Sequence, residues 1–297
     1  MKIYDCFMYF DEDIVLDVRL NFLDAYVDKF IIIESVYNHK GDKRKPLFDI
    51  KKFNKFKNKI EYILINEIPD GIKTIEQNDH KNIIYKKSIL NAWKRENLQR
   101  NQITKGLISA DREDWVIISD LDEIPNLSRI NLKDIKNKLV FFKQDMMYYK
   151  FNLKLEDFIW VGSKACKVKN LKSPQWLRDI KDRNYNWWRV DTYFSERKYK
   201  NILFIENGGW HFSYLKDHKG IEKKLKSYLH HIDYDFNPVG RKKIKEMINN
   251  KKTIYNIKAD KRVNKFDDGN KLTKIHTKLL PSYILENKSK FIDWIEE

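Results

Sequence analysis

Residues 115–125 read Trp115-Val116-Ile117-Ile118-Ser119-Asp120-Leu121-Asp122-Glu123-Ile124-Pro125. The continuous β-branched run Val116–Ile118 suits a strand covered on both faces, and open α/β sheets place their ligands just beyond the carboxyl ends of such strands. The run stops at Asp120 and Asp122, two carboxylates one residue apart with Glu123 beside them. An Asp-x-Asp pair offers hard oxygen donors that Mg²⁺ or Mn²⁺ can share with a diphosphate, neutralising charge as the phosphates leave. A solvated acidic turn closed by Pro125 is the alternative, and spacing alone does not separate the two.

The segments upstream alternate in period. Lys2–Phe10 and Phe30–Ile33 read as strands, the second ending at Glu34, and between them Leu16, Leu20, Leu23 and Val27 recur at helical spacing. A helix over Pro46–Lys57, a strand over Ile60–Ile65 and a long helix from about Asp79 to Leu107 complete the approach to Trp115. Four such repeats imply an α/β fold with a mainly parallel central sheet flanked by helices, an architecture suited to nucleotides. Beyond Pro125 the texture changes to aromatic-rich strands over Leu139–Leu153 and Phe158–Val168, a short helix opened by Ser173-Pro174, and a run from Ile202 to Leu215 broken at Gly208-Gly209. Ile221, Leu225, Tyr228, Leu229 and Ile232 then predict one amphipathic helix, and a basic helix follows Arg241. No repeat or linker divides the chain, so the expectation is a single domain over 1–297 with segments 1–125, 126–235 and 236–297.

With 297 residues, 42% of them hydrophobic and 14% aromatic, the chain can build a sizeable core, which excludes disorder. No stretch approaches a membrane span, and Met1-Lys2-Ile3-Tyr4-Asp5 lacks the apolar core of a signal peptide, so the expectation is a protein that stays in the cytoplasm where it is made. Cys6 and Cys166 lie in apolar surroundings and read as reduced core residues. The net charge of +16 attracts anions: a nucleotide-linked substrate, nucleic acid, or an anionic membrane met peripherally. Its densest stretch, Arg241-Lys242-Lys243-Ile244-Lys245, reads as the solvated face of a helix rather than a specific nucleic-acid site. No Gly-x-Gly-x-x-Gly follows the first strand, no P-loop is present, and no His-Glu-x-x-His occurs, so dinucleotide, P-loop and zincin chemistries are excluded.

Four blocks in order carry a resemblance. Asp5-Cys6-Phe7-Met8-Tyr9-Phe10-Asp11-Glu12, Ile33-Glu34-Ser35 with His39-Lys40-Gly41 and Lys45-Pro46-Leu47, Ser119–Pro125, and Gly208-Gly209-Trp210-His211-Phe212-Ser213 together resemble glycosyltransferase family 17. The resemblance runs over most of residues 2 to 230. It implies a GT-A-type, Rossmann-like nucleotide-sugar-binding fold, a divalent metal (Mn²⁺ or Mg²⁺), an inverting mechanism giving a β linkage, UDP-N-acetylglucosamine as the typical donor and a glycan or glycoconjugate as acceptor. Segment 1–125 then becomes the nucleotide-sugar half, 126–235 the acceptor side, and 236–297 a helical extension.

By that analogy Asp122 binds the metal directly, and Asp120 binds it through water or contacts the ribose. His211 follows Gly208, Gly209 and Trp210, whose small residues would let the backbone approach a phosphate; its imidazole either completes the metal shell or is a hydrogen-bonded core group. Glu34, His39 and Gly41 follow a strand end where the nucleoside should lie, and Arg100, on the helix before the metal strand, either reaches the diphosphate or is a surface cation. Inversion requires a base to deprotonate the acceptor. Asp145, Asp179 and Asp217 are the candidates, Asp145 first, with Glu123 behind them. Five of the eight tryptophans fall between residues 160 and 210; Trp160, Trp176 and Trp210 are candidates to stack on acceptor sugars, with core packing as the competing account.

Two rival classes remain: a haloacid-dehalogenase-like phosphotransferase with Asp120 as nucleophile, although that motif normally lies near the start of its domain, and a basic, non-catalytic nucleic-acid-binding protein. Neither accounts for the four collinear blocks.

Overall fold

The computed structural model describes residues 1–256, Phe266 and 269–297. Its first half runs β1 (Ile3–Met8), α1 (Asp13–Leu23), β2 (Lys29–Ser35), β3 (Ile60–Ile65), α2 (Lys81–Asn101), α3 (Ile103–Gly106) and β4 (Trp115–Asp120). β1 pairs in parallel with both β2 and β4, and β3 extends β2. β2 and β4 carry near-continuous apolar runs because both their faces are covered, whereas the edge strand β3 is only partly buried. Phe7, Ile32 and Ile117 point to a core shared with Leu16 and Leu20 of α1. The alternate residues Cys6, Ile31, Ile33 and Ile118 point to a second core with Ile103 of α3. Cys6 and Cys166 are buried and free.

The second half adds β5 (Glu123–Pro125), β6 (Leu139–Tyr148), β7 (Leu153–Lys167), α4 (Pro174–Asp179), β8 (Ile202–Ile205) and β9 (Gly209–Ser213). Here the sheet turns mixed: β7 runs antiparallel to β4 and β6, and β5 antiparallel to β9. A short turn after β6, with Tyr149 at φ 63°, makes the β6–β7 hairpin, and antiparallel neighbours are what such a short link permits. Among the described residues the strands join in the order β3-β2-β1-β4-β7-β6-β9-β5, with β8 on β6 and β10 (Leu272–Lys274) on β7. The parallel character expected from the repeats is therefore confined to β3-β2-β1-β4 and to the pairings of β8 and β9 with β6.

The strands expected over Leu139–Leu153 and Phe158–Val168 are observed as Leu139–Tyr148 and Leu153–Lys167, and three helical assignments also differ from the sequence reading. The helix expected over Pro46–Lys57 is a 3₁₀ run, Ile50–Phe56, capped by the Asp49 side chain on the Lys51 amide. The long helix ends at Asn101. The stripe from Ile221 to Ile232 is two helices, α5 (His218–Ser227) and α6 (His231–Phe236), separated where the Tyr228 backbone is extended. With α7 (Gly240–Asn249) they bury Ile221, Leu225 and Ile244 against Tyr148 and Tyr214. α8 (Ser282–Glu286) and Phe291 return to the α1 side of the sheet.

Candidate functional site

The acidic turn after β4 is fixed from below by one buried cation. Arg19 of α1 and Asp5 of β1 are both fully buried and joined bidentately, Nε to Oδ2 at 2.7 Å and Nη2 to Oδ1 at 2.6 Å. Nη1 donates to the carbonyl oxygens of Asp120, Leu121 and Glu123 at 3.1, 3.1 and 2.7 Å, and Nη2 also reaches Ser119 Oγ. Every guanidinium nitrogen is engaged, so the turn is held by an ion pair already compensated in the core. Glu123 closes the turn from the other side. Its carboxylate accepts from the Asp120 amide, from Trp160 Nε1 at 2.6 Å and from Arg178 at 2.7 and 3.0 Å, with no exposed surface. That saturation makes Glu123 a structural group.

The two aspartates are treated differently by their neighbours. Asp120 is gripped by two guanidiniums, Arg100 on Oδ1 at 3.0 Å and Arg178 on Oδ2 at 3.1 Å. Burial opposes its ionisation, but Arg178 and Arg100 outweigh burial and hold its carboxyl below the ordinary range. Asp122 has Lys224 Nζ of α5 at 3.1 Å from Oδ2 and His211 Nε2 of β9 at 3.5 Å from Oδ1. Burial again opposes charge and loses, here to Lys224 and His211, so Asp122 is ionised far below the usual carboxylate range. Burial would push the His211 imidazole down, but Asp122 carries it above its ordinary value. Lys224 also stands 3.3 Å from Glu12 Oε1.

This turn opens onto a cavity of about 430 Å³. Aromatic side chains form much of its wall, among them Tyr9, Tyr37, Trp160, Tyr214 and Tyr228. Its charged lining is Arg44 and Lys224 against four carboxylates, Glu12, Glu96, Asp120 and Asp122. Arg100 and Arg178 compensate Asp120, Arg100 also pairs with Glu96, and Glu12 and Asp122 share Lys224.

Of the residues singled out from sequence, Asp120, Asp122, His211, His39 and Trp160 line this cavity together. His39 Nε2 lies 3.3 Å from Gln99 Oε1, and burial lowers its pKa. The others lie elsewhere. Glu34 is fully buried and accepts from the Leu47 and Phe48 amides, the Tyr62 hydroxyl and Arg44, which pins the loop after β2. Gly41 has φ +114°, and a Cβ there would lie 2.6 Å from the Arg95 guanidinium, so turn geometry demands the glycine. Gly209, at φ +136°, would place a Cβ 2.1 Å from the Ile124 carbonyl, so the close pairing of β5 and β9 requires the glycine. Arg100 directs its two Nη groups to Asp120, Glu96 and Gln175. Trp176 donates to the Glu196 carbonyl, and the buried Trp210 donates to the Leu279 carbonyl and meets Phe22 edge-on, so neither forms the cavity wall.

The three candidate bases are also off the cavity. Asp145 pairs with Lys154 at 2.8 Å, Asp179 with Arg197 at 3.2 Å, and Asp217 caps α5 through the Gly220 amide. Sequence reasoning gave no site role to Arg19, Lys224, Arg178 or the carboxylates Glu12 and Glu96. The first two carried a readable signal. Arg19 sits at helical spacing with Leu16, Leu20 and Leu23, and Lys224 with Ile221, Leu225 and Tyr228, so each is a cation on an apolar stripe.

Among the described residues no three His, Cys, Asp or Glu side chains converge on one point. The donors present nonetheless suit a hard divalent ion of the kind that binds through one or two protein ligands plus substrate phosphates. Asp122 and His211 are adjacent and face the cavity, and His211 Nδ1 is buried with no hydrogen-bond partner. Compared with protein-family models, residues 1–294 match the one described as glycosyltransferase family 17. No curated protein matches the chain.

Proposed function

The chain belongs to glycosyltransferase family 17, and from that premise we propose that its cavity binds UDP-N-acetylglucosamine and delivers the sugar, with inversion, to a glycan acceptor in β linkage. The observation that carries this reading is the buried pair of Asp122, in the turn after β4, and His211 of β9, which meet at the wall of the cavity. Asp122 and His211 are the residues to hold Mn²⁺ or Mg²⁺, and the bound ion would offset the charge on the departing diphosphate. The parallel arrangement β3-β2-β1-β4 with its acidic turn supports assignment to the GT-A type, with 1–125 as the nucleotide-sugar half, 126–235 the acceptor side and 236–297 a helical extension.

The chain's own groups then take the following roles. Arg19 and Glu123 keep the turn from moving as charge develops. Asp120, held ionised by Arg100 and Arg178, accepts hydrogen bonds from the ribose. His39, Tyr37 and Gln99 line the nucleoside end. Lys224 directs a second positive charge at the leaving diphosphate, and Trp160 offers a ring face to the sugar. Of the carboxylates that reach the cavity, Glu12 and Glu96 are free of the metal pair, and the general base is drawn from these two rather than from Asp145, Asp179 or Asp217. A screen of UDP-sugars for UDP release, with Mn²⁺ and with chelator, tests the proposal. Metal-stimulated release from UDP-N-acetylglucosamine supports it, and absence of release from every UDP-sugar contradicts it.

A further inference from the structure

Between α4 and β8 the chain displays an apolar cluster that the described fold leaves uncovered. Trp187 is 81% exposed, Trp188 60%, Val190 67%, Tyr193 75% and Phe194 90%. Single exposed apolar residues are ordinary, but five large ones within eight residues form a patch of the sort that marks a contact surface. The segment is also held in place. Tyr185 is buried beneath it with Arg183 and Arg189 over its ring, Asn184 exchanges hydrogen bonds with the Ile202 backbone at 2.9 and 2.7 Å, and Lys200 Nζ donates to the Trp187 carbonyl. The aromatics are therefore presented by a fixed turn.

We propose that residues 187–194 dock this protein on an anionic lipid surface, with Trp187, Trp188, Tyr193 and Phe194 entering the headgroup region. Charge selects this occupant. Residues 181–200 carry six Lys or Arg against three acids, and each acid is already neutralised: Asp182 by Lys164, Asp191 by Arg189 and Lys198, Glu196 by Lys172. Lys181 and Arg183 have no carboxylate partner among the described residues. Exposed apolar side chains in the same segment as Lys181 and Arg183 match an interface whose core takes the rings and whose headgroups take the charge. Trp and Tyr suit that depth because each has an apolar body and a polar handle. Ring planes of Trp187 and Trp188 stand 84° apart, a wedge rather than the flat platform on which a sugar chain stacks. The inference does not depend on the glycosyltransferase reading.

Sedimentation with vesicles tests it, using phosphatidylcholine with and without phosphatidylglycerol, on the full chain and on the Trp187→Ser/Trp188→Ser/Phe194→Ser variant. All three positions are exposed, and an unchanged melting temperature confirms that the variant folds. Wild type should partition onto the phosphatidylglycerol vesicles, with tryptophan emission shifted to the blue, and the variant should lose roughly tenfold or more in partitioning. Three results would overturn the proposal: no partitioning by wild type, equal partitioning by the variant, or an oligomer in lipid-free solution that the triple substitution dissolves. UDP binding by the variant, measured separately, reports on the cavity and not on this surface.

Discussion

Lys224 Nζ lies 3.1 Å from Asp122 Oδ2 and so supplies, from α5, a cation to the carboxylate that terminates the β4 turn. Lys224 and a divalent metal would draw on the same anionic oxygens. Lys224→Met should therefore tighten Mn²⁺ binding to the nucleotide-free protein roughly tenfold, because an uncompensated Asp122 attracts the ion more strongly. The same change should weaken UDP binding, since a cation facing the phosphates is gone. Paramagnetic titration of Mn²⁺ and calorimetry of UDP separate the effects, and loss of both affinities together would mean that Lys224 is only a packing element.

Arg19 is the structural counterpart of that pair. Arg19→Met leaves Asp5 buried without its partner and frees three carbonyls of the turn, so it should cost ~3–5 kcal/mol in urea unfolding. Asp5→Asn/Arg19→Met removes both charges and should recover part of that loss. Equal destabilisation by the single and double variants would show that the ion pair is not what secures the turn.

The pH dependence of stability has one clear contributor away from the cavity. Burial lowers the Lys164 pKa from 10.5 to about 8, against the pull of Asp182 at 2.6 Å. Between those values the unfolded chain retains the Lys164 proton more than the folded chain does. The contribution of Lys164 to stability is thus least below pH 8 and rises with pH to about 10.5, by at most ~3 kcal/mol. The difference in unfolding free energy between wild type and Lys164→Met should grow across that window, and a flat difference would contradict the assignment.

For the acceptor base the expected outcomes divide by position. Asp145→Asn, Asp179→Asn and Asp217→Asn change groups held in ion pairs or a helix cap outside the cavity, and each should retain most turnover. One of Glu12→Gln and Glu96→Gln should keep UDP affinity while turnover falls by a factor on the order of 10² or more. Loss of turnover confined to an aspartate variant would return the base to that residue.

Much of this was legible in the chain. The β-branched Val116–Ile118 run fixed a central strand because only burial on both faces tolerates it, and its end fixed where Asp120 and Asp122 lie. What escaped was tertiary. Nothing local says that Arg100 turns onto Asp120, or that a Cβ at Gly209 would meet the Ile124 carbonyl. Asp217 stands before a helix with Gly220 three residues on, a cap position that competes with a catalytic role. The cations on apolar stripes, Arg19 and Lys224, show the converse: a charge on such a stripe needs a buried partner, Asp5 within the first strand and Asp122 in the turn after the fourth.

Asp122 and His211 are proposed to couple a divalent ion to a nucleoside diphosphate in this cavity. Calorimetric titration of UDP in the presence of Mn²⁺ and in the presence of chelator, on wild type and Asp122→Ala, addresses it without requiring the acceptor. The account predicts that Mn²⁺ strengthens UDP binding to wild type and that Asp122→Ala, still folded, loses that strengthening. UDP binding of equal affinity with Mn²⁺ and with chelator in the wild-type protein would contradict it.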